Sequence, residues 1–267
     1  MKVLAPKIVP FLALAFLLML ASAPANETSA RVTPVVKVVT ECADSVVNIS
    51  TQSLILLKED AFWGPFHARF ADTDTSLPVG ALTLKSVGSG VVISSDGLIL
   101  TNAHVVQRAG KIFVTYGKQK QAEAKVLSIN QGLDLALLKL DVPELLKPVK
   151  FAKDVMIGET VVAIGNPLGF ENSVSVGVVS GTHREIPDMP AGSPYKDLVQ
   201  IDAPVNHGNS GGGLFNLDGE FIGITLAVVL NAQGIGFVIP FSKIQEALEA
   251  YRNPPPAPAP AKKIKVN

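Results

Sequence analysis

A series of short apolar runs, rich in valine and isoleucine and separated by glycine and turn residues, restricts the fold of this chain more than any other feature. Asp-Gly pairs at 96–97 and 218–219 each lie between two such runs, a pattern typical of β-hairpins. No helical periodicity separates the runs, so the sequence predicts an all-β protein, either a sandwich or a pair of barrels. Pro143 and Pro148 interrupt the series, and we place the junction between two sub-domains near 142–150. The predicted strands cover 45–51, 90–94, 98–101, 111–116, 135–140, 160–165, 173–181, 198–202, 220–229 and 234–240.

One helix is predicted after the last strand. Ser242 and Gln245 have the spacing of a capping box, and apolar residues follow them at helical spacing. Three consecutive prolines end the helix at Asn253, because proline cannot continue a helix. The remaining residues, 254–267, are proline-rich with a basic end and predict an extended, solvated tail.

The first residues, 1–25, have the features of a secretory signal peptide. Lys2 and Lys7 precede the apolar run at 8–20. Ala23 and Ala25, after the run, have the spacing that signal peptidase recognises. An uncleaved signal anchor is the alternative, and only in that case do we expect a membrane association. Both interpretations predict export, to the periplasm or the extracellular space, and leave a domain at 26–253.

Charge and cysteine content exclude several classes of function. The 267 residues include 23 basic and 23 acidic side chains, so no basic excess recommends nucleic acid as a partner. Cys42 is the only cysteine, which rules out an intramolecular disulfide, and we expect a half-buried structural thiol. We expect neither a metal nor an organic cofactor.

Glycines crowd a single serine in the segment IDAPVNHGNSGGGLFN at 201–216. Glycine clusters are typical of flexible loops, and also of tight turns where two backbones approach closely. A flexible surface loop is therefore one interpretation. The other is that Ser210 lies at the tip of a strained turn, with backbone N–H groups directed at a reacting oxygen.

A serine hydroxyl becomes a good nucleophile only beside a base, and the base needs an orienting carboxylate. His104 follows a predicted strand and precedes a polar turn, although its position alone leaves a structural role open. Asp134 is the first candidate carboxylate, because it opens an apolar strand where an unpaired charge would be costly. Asp202, just before the glycine-rich turn, is the second. The remaining histidines are His67, His183 and His207.

The blocks TNAHVV, GLDLALLKL and GNSGG occur in the order His, Asp, Ser, which is the order of the chymotrypsin-type triad. Together with the longer segments at 88–106, 163–181 and 201–224, they resemble the high-temperature-requirement (HtrA/Deg) family of trypsin-like serine proteases. The resemblance runs from about Val46 to Ser242. It implies two perpendicular six-stranded β-barrels, with an active site in the cleft between them.

The same resemblance implies a role for each candidate residue. His104 matches the general base of the family, Asp134 its orienting acid and Ser210 its nucleophile. The N–H groups of Gly208 and Ser210, with Asn209 between them, would line the oxyanion hole.

The segment 223–240 resembles the strand and loop that form a wall of the primary specificity pocket. It contains no charged residue, so a pocket built from Ile224, Leu226 and Ala227 would accept small or medium apolar side chains. The alternative is that these residues belong to the core.

The sequence departs from the family pattern at three places. His207 and Gly213 stand where the family usually has proline, which would leave the oxyanion turn more mobile. Family members usually carry one or two peptide-binding PDZ domains after the protease domain. Only the short proline-rich segment follows the predicted helix here, so we expect no PDZ domain and transfer no PDZ function.

These features predict a serine endopeptidase that acts on exported, misfolded or unfolded proteins. The alternative is a chaperone-like or scaffold protein with the same fold and a poorly formed active site. The irregular insertion at 58–85 is unusually aromatic, with Phe62, Trp63, Phe66 and Phe70. Local packing is one explanation, and an oligomer or regulatory contact is the other. Related proteases form trimers through their N-terminal segment and this loop, so a homotrimer is expected.

Overall fold

The computed structural model describes residues 30–54, 82–107, 109–166, 173–186, 195–205, 209–226 and 234–253. The predicted signal peptide, residues 58–81 of the aromatic insertion and the proline-rich tail lie outside these described residues. The predicted irregular insertion extends to residue 85, but 82–85 pair with β1 as the start of β2. The strands are β1 Val46–Leu54, β2 Leu82–Val92, β3 Leu98–Thr101, β4 Lys111–Tyr116, β5 Lys120–Asn130, β6 Leu135–Leu140, β7 Lys150–Phe151, β8 Thr160–Gly165, β9 Ser173–Arg184, β10 Leu198–Ile201, β11 Gly213–Asn216, β12 Glu220–Leu226 and β13 Gly236–Pro240. The α-helices are α1 Pro34–Cys42, α2 Ala103–Val106 and α3 Phe241–Arg252, and a 3₁₀ turn covers Ala43–Ser45.

The strands form two closed antiparallel barrels, which confirms the predicted fold class. In the first barrel the strand order is β1-β2-β3-β6-β5-β4. In the second the order is β11-β8-β9-β10-β13-β12, closed by pairing of β11 with β12. Strand β7 adds to the outside of this barrel through a parallel pairing with β12. The chain between β6 and β7, residues 141–149, links the two barrels.

Side chains on β6 and β8 point alternately into the interior of a barrel and into the region between the two barrels. On β6, Leu138 and Leu140 lie in the interior of the first barrel, whereas Leu137 lies in a core cluster shared with the second. On β8, Val161 lies inside the second barrel and Val162 in the shared cluster. Because successive side chains of a strand point to opposite faces, this alternation builds three layers of core, one inside each barrel and one between them.

The shared core packs the two barrels directly against each other. It joins Leu100 and Leu135 of the first barrel to Ile164 and Phe215 of the second, and each of these side chains is at most 2% exposed. Burial of apolar side chains is the main stabilising contribution here, at about 25 cal/mol per Å². The two barrels therefore share one continuous apolar core.

Helix α1 is a feature that the sequence reasoning did not predict. Its Val-rich sequence favours a strand, yet Val38 and Cys42, one helical turn apart, pack into the shared core. Cys42 is 6% exposed, and its thiol donates to the carbonyl oxygen of Gly219 at 3.4 Å. Burial raises the pKa of this thiol, which keeps it protonated.

The C-terminal helix is present, but its predicted capping box is wrong. Helix α3 begins at Phe241 with Pro240 as the N-cap residue, and no side chain caps its first turn. Pro240, with φ −70° and ψ 157°, ends β13 and starts the helix in one step, so Ser242 already lies inside the first turn. Within the described ranges, no helix combines the length and apolar character needed to cross a membrane.

Candidate active site

His104 lies in α2, a single helical turn that follows directly after β3. All four residues of this helix are buried, and His104 itself is 3% exposed. Asn102 precedes the helix in extended conformation, and its side-chain amide donates to the carbonyl oxygen of Asp134 at 3.1 Å. The N–H of Ala103 donates to the same carbonyl oxygen at 3.1 Å. The segment that carries His104 is thus fixed to the backbone of Asp134.

Asp134 lies at the end of the turn between β5 and β6, with a backbone φ of +51°. This left-handed conformation is one that aspartate tolerates better than most residues. It turns the buried carboxylate towards His104. Oδ1 accepts the backbone N–H of His104 at 3.0 Å, and Oδ2 lies 2.8 Å from Nδ1 of the ring. Since an ionised carboxylate only accepts hydrogen bonds, Nδ1 carries the proton of this contact.

A third donor reaches the same carboxylate. The hydroxyl of Tyr195 donates to Oδ2 of Asp134 at 3.3 Å. Asp134 is only 2% exposed, and burial of a charge without partners would cost several kcal/mol. The three donors compensate for that loss of water and keep the anion in one orientation. No pattern in the sequence indicated Tyr195.

Ser210 is fully buried in a tight turn that opens β11. The N–H of Gly212 donates to the carbonyl oxygen of Asn209 at 2.8 Å and closes the turn. Thr225 on β12 supports it with two further bonds, from its hydroxyl to Asn209 at 2.5 Å and from its N–H to Gly212 at 2.9 Å. The turn is held by hydrogen bonds on both sides of Ser210, which argues against a flexible loop.

Glycine is required at position 211 for two independent reasons. Its φ of +83° is a conformation that residues with a side chain rarely adopt. A Cβ atom there would also lie 2.1 Å from the carbonyl oxygen of Ser89 and 2.4 Å from the hydroxyl of Thr101. The serine-bearing turn therefore packs backbone to backbone against the first barrel.

The same contact brings Ser210 close to the segment of His104. The carbonyl oxygen of Ser210 accepts the N–H of Ser89 at 2.8 Å. At the neighbouring Gly88, a Cβ atom would lie 2.9 Å both from that carbonyl oxygen and from Val105, the residue after His104. Gly88 of β2 is thus in close contact with both Ser210 and α2. The structure collects His104, Asp134 and Ser210 where the two barrels meet.

Asp202, the second candidate carboxylate, is used elsewhere. Its Oδ1 accepts the backbone N–H of Val178 at 2.6 Å, which fixes the end of β10 to β9. His183 forms a separate pair with Asp197, with Nδ1 2.5 Å from Oδ1 and the imidazole 84% exposed. Neither of these pairs includes a residue of the Ser210 turn.

The remaining residues singled out in the sequence lie in the shared core, at the start of β11 or outside the described residues. Ile224 and Leu226 are at most 1% exposed and belong to the core shared by the barrels, which is the alternative considered for them above. Gly213 starts β11, where a Cβ atom would lie 2.6 Å from the ring of Phe215. Outside the described residues lie Gly208, Ala227, His67 and His207. Among the described residues, no group of three or more His, Cys, Asp or Glu side chains could hold a metal ion.

Comparison with known proteins places this geometry in context. The family model for the trypsin-like peptidase domain matches residues 88–224. A probable periplasmic serine endoprotease, DegP-like, from Halomonas elongata is 34% identical over 263 residues, which is 91% of this chain and 54% of the relative. The putative serine protease HhoA from Synechocystis is 35% identical over 79% of this chain and 56% of its own length. The chain spans about half the length of these curated relatives.

Solved structures agree in fold. The HtrA-type protease AlgW with a decapeptide superimposes with a TM-score of 0.66 at 30% identity, covering 82% of this chain and 67% of that structure. The serine endoprotease from Yersinia pestis gives a TM-score of 0.63 at 31% identity, covering 83% of this chain and 68% of the other.

Proposed function

Because the chain belongs to the HtrA family of trypsin-like serine proteases, we propose that it is a serine endopeptidase that cleaves exported proteins in the unfolded or misfolded state. One observation carries the proposal. The buried His104–Asp134 pair has Nδ1 2.8 Å from Oδ2, and Gly88 of β2 contacts both the carbonyl oxygen of Ser210 and Val105, the residue after His104. Removal of the proton from a serine hydroxyl would need such an oriented imidazole close to the serine.

The first half of the proposed reaction is acylation of Ser210. With its Nδ1 proton donated to Asp134, His104 presents Nε2 as the basic nitrogen of the ring. His104 accepts the hydroxyl proton as the Ser210 oxygen attacks the peptide carbonyl carbon. The imidazolium then gives this proton to the departing amine, and the acyl group stays on Ser210.

The second half is hydrolysis of the acyl-enzyme. His104 removes a proton from water, the hydroxide oxygen attacks the ester carbonyl, and Ser210 leaves with its proton restored. In both halves, the carbonyl oxygen becomes negatively charged in a tetrahedral intermediate. The backbone N–H groups of Gly208 and Ser210 would stabilise this oxyanion. One such donor is worth about 3 kcal/mol of barrier. The hydrogen-bonded turn from Asn209 to Gly212 supports the role of Ser210, since it fixes the backbone that carries the Ser210 N–H.

Location and assembly are part of the same proposal. The amino-terminal sequence pattern supports export, and relatives from Halomonas elongata and Pseudomonas fulva bear the name periplasmic endoprotease. We propose a periplasmic or extracellular protein that acts on protein chains, and that assembles as a homotrimer through its amino-terminal region and the aromatic insertion.

The proposed activity is tested by incubating the purified protein with unfolded casein, beside a Ser210→Ala variant. We expect cleavage by the native sequence, and a loss of turnover of roughly 10⁶-fold in the variant with an unchanged fold. Suppressed casein aggregation without cleavage, equal in both proteins, would instead support the chaperone-like alternative and contradict the proposal.

A further inference from the structure

Tyr195 connects the second barrel to the acid of the candidate triad. Its carbonyl oxygen accepts the N–H of Ile186 at 3.1 Å, and it lies just before β10, so its backbone belongs to the second barrel. Its side chain is 2% exposed and packs in the shared core near Leu198. Its hydroxyl reaches Oδ2 of Asp134, which lies on the first barrel.

The direction of this hydrogen bond is fixed by chemistry. Burial, and then the charge of Asp134, raise the pKa of Tyr195 far above its ordinary value. The phenol therefore stays protonated across the whole range in which a protease works. Since the carboxylate accepts only, Tyr195 must be the donor.

The acceptor is the same oxygen that serves His104. Oδ2 lies 2.8 Å from Nδ1 of the imidazole and 3.3 Å from the tyrosine oxygen. Resting on the proposed function, we propose that Tyr195 is a positioning residue of the triad: it holds the Asp134 carboxylate in its working orientation and shares the negative charge that acts on His104.

Removal of the Tyr195 hydroxyl should change the pKa of His104 in one direction. A donor that binds a carboxylate withdraws part of its charge, and without it the remaining charge acts more strongly on the neighbouring imidazolium. The protonated form of His104 becomes more favourable, so its pKa rises. Protonated His104 cannot accept the serine proton, so a higher pKa lowers activity on the acid side of the pH–activity profile.

Within the described parts of the chain, two titratable side chains from different elements face the Asp134 carboxylate. The titratable side chains in hydrogen-bond or ion-pair contact with the Asp134 carboxylate are His104, from α2, and Tyr195, from the second barrel. Asn102 and Ala103 bind the carbonyl oxygen of Asp134 and carry no charge.

The test compares Tyr195→Phe with the matched control Tyr116→Phe. Tyr116 is also a buried tyrosine whose hydroxyl bonds a carboxylate, Glu144, but it lies on β4, away from the triad. The pKa of His104 is measured by NMR titration in the Ser210→Ala background, with its resonance identified by loss in His104→Gln. This readout requires no turnover.

We expect Tyr195→Phe to raise the His104 pKa by about half a unit, and Tyr116→Phe to leave it unchanged. In the Ser210-containing protein, Tyr195→Phe should shift the acid limb of kcat/KM upward by the same amount. It should also lower kcat about tenfold while KM stays within about twofold. An unchanged pKa together with a pH-independent loss of activity would mean that Tyr195 only packs the core, and would overturn the inference.

Two further measurements distinguish a failure of the inference from a failure of the variant to fold and from a failure of the proposed protease function. If Tyr195→Phe does not fold, replacement of Tyr195 by difluorotyrosine retains the shape and strengthens the donor, so the His104 pKa must then fall. No change would again refute the inference. If the His104 pKa shifts as expected but the native protein neither cleaves casein nor reacts with a fluorophosphonate, the proposed protease function fails and the hydrogen-bond inference stands.

Discussion

Ser89 of the first barrel donates its backbone N–H to the carbonyl oxygen of Ser210 in the second, at 2.8 Å. The carbonyl oxygen of Ser89 accepts the hydroxyl of Thr101 at 2.7 Å, and its own hydroxyl accepts the N–H of Asn166 at 2.8 Å. A single buried residue thereby joins the serine-bearing turn to the strand that leads to His104. This backbone contact fixes the position of Ser210, the proposed nucleophile, relative to the segment that carries His104, the proposed base.

This contact makes Gly211 a sensitive position. Gly211→Ala would strain a φ of +83° and place a methyl group 2.1 Å from the carbonyl oxygen of Ser89. We expect the turn to move away from α2 and activity to fall at least about 100-fold, since small misplacements of reacting groups are costly. Peptide hydrolysis and urea unfolding measure the two effects.

Gly158→Ala is the control for Gly211→Ala. Gly158 has a similar φ of +89°, but nothing lies within 4 Å of the position of its Cβ atom. It should lose about 1–2 kcal/mol of stability and keep its activity. Equal losses of activity in the two variants would show that the contact with Ser89 is unimportant.

Substitution by asparagine at Asp134 and at Asp202, one at a time, shows which carboxylate orients His104. Asp134→Asn leaves the size of the side chain unchanged but no longer selects the correct tautomer of His104, and we expect turnover to fall by about 10⁴-fold near neutral pH. Asp202→Asn should change turnover only slightly, because its carboxylate binds the backbone of Val178. Steady-state kinetics on a peptide decide between them, and a larger effect at Asp202 would refute the assignment of the acid.

Cleavage is expected after small or medium aliphatic residues such as valine, alanine and leucine. No acidic residue occurs in 223–240, the segment proposed to form a pocket wall, and a preference for lysine would need one. Each methylene contributes only about 1–3 kcal/mol of discrimination, so the preference should be broad. Sequencing the products of a denatured substrate measures it. Cuts mainly after lysine or arginine would contradict the apolar pocket.

A homotrimer in solution is the expected assembly. The prediction rests on the aromatic insertion at 58–85, whose Phe62, Trp63, Phe66 and Phe70 are unusual for a loop. Multi-angle light scattering at micromolar concentration gives the mass. A strict monomer would remove the trimer from the account without affecting the active site.

Some features of the fold were predictable because they are local. The Asp-Gly hairpins and the alternating apolar runs determine most strands, and the three motif blocks point to His104, Asp134 and Ser210. Strand β5 was not predicted because charged and polar residues interrupt its apolar ones, and Ala124 is its only buried residue. Strand β11 lies inside the glycine-rich block, where sequence favours a turn.

Other features depend on contacts between distant parts of the chain. Tyr195 and Asp134 are 61 residues apart in sequence, and no local sequence pattern predicts the hydrogen bond between them. Helix α1 forms against the strand preference of its valines because the shared core buries Val38 and Cys42. Ile224 and Leu226 are apolar residues on a strand, and sequence alone could not separate a pocket wall from the core.

The most direct test of the account is the site of reaction with a fluorophosphonate, which forms a covalent bond only with an activated serine. After labelling of the native protein and proteolytic digestion, mass spectrometry should locate one adduct, on the peptide that contains Ser210. Ser210→Ala should remove it, and Asp134→Asn should slow its formation strongly. Absence of any adduct, or an adduct on another serine that persists in Ser210→Ala, would contradict the proposal that Ser210 is the nucleophile.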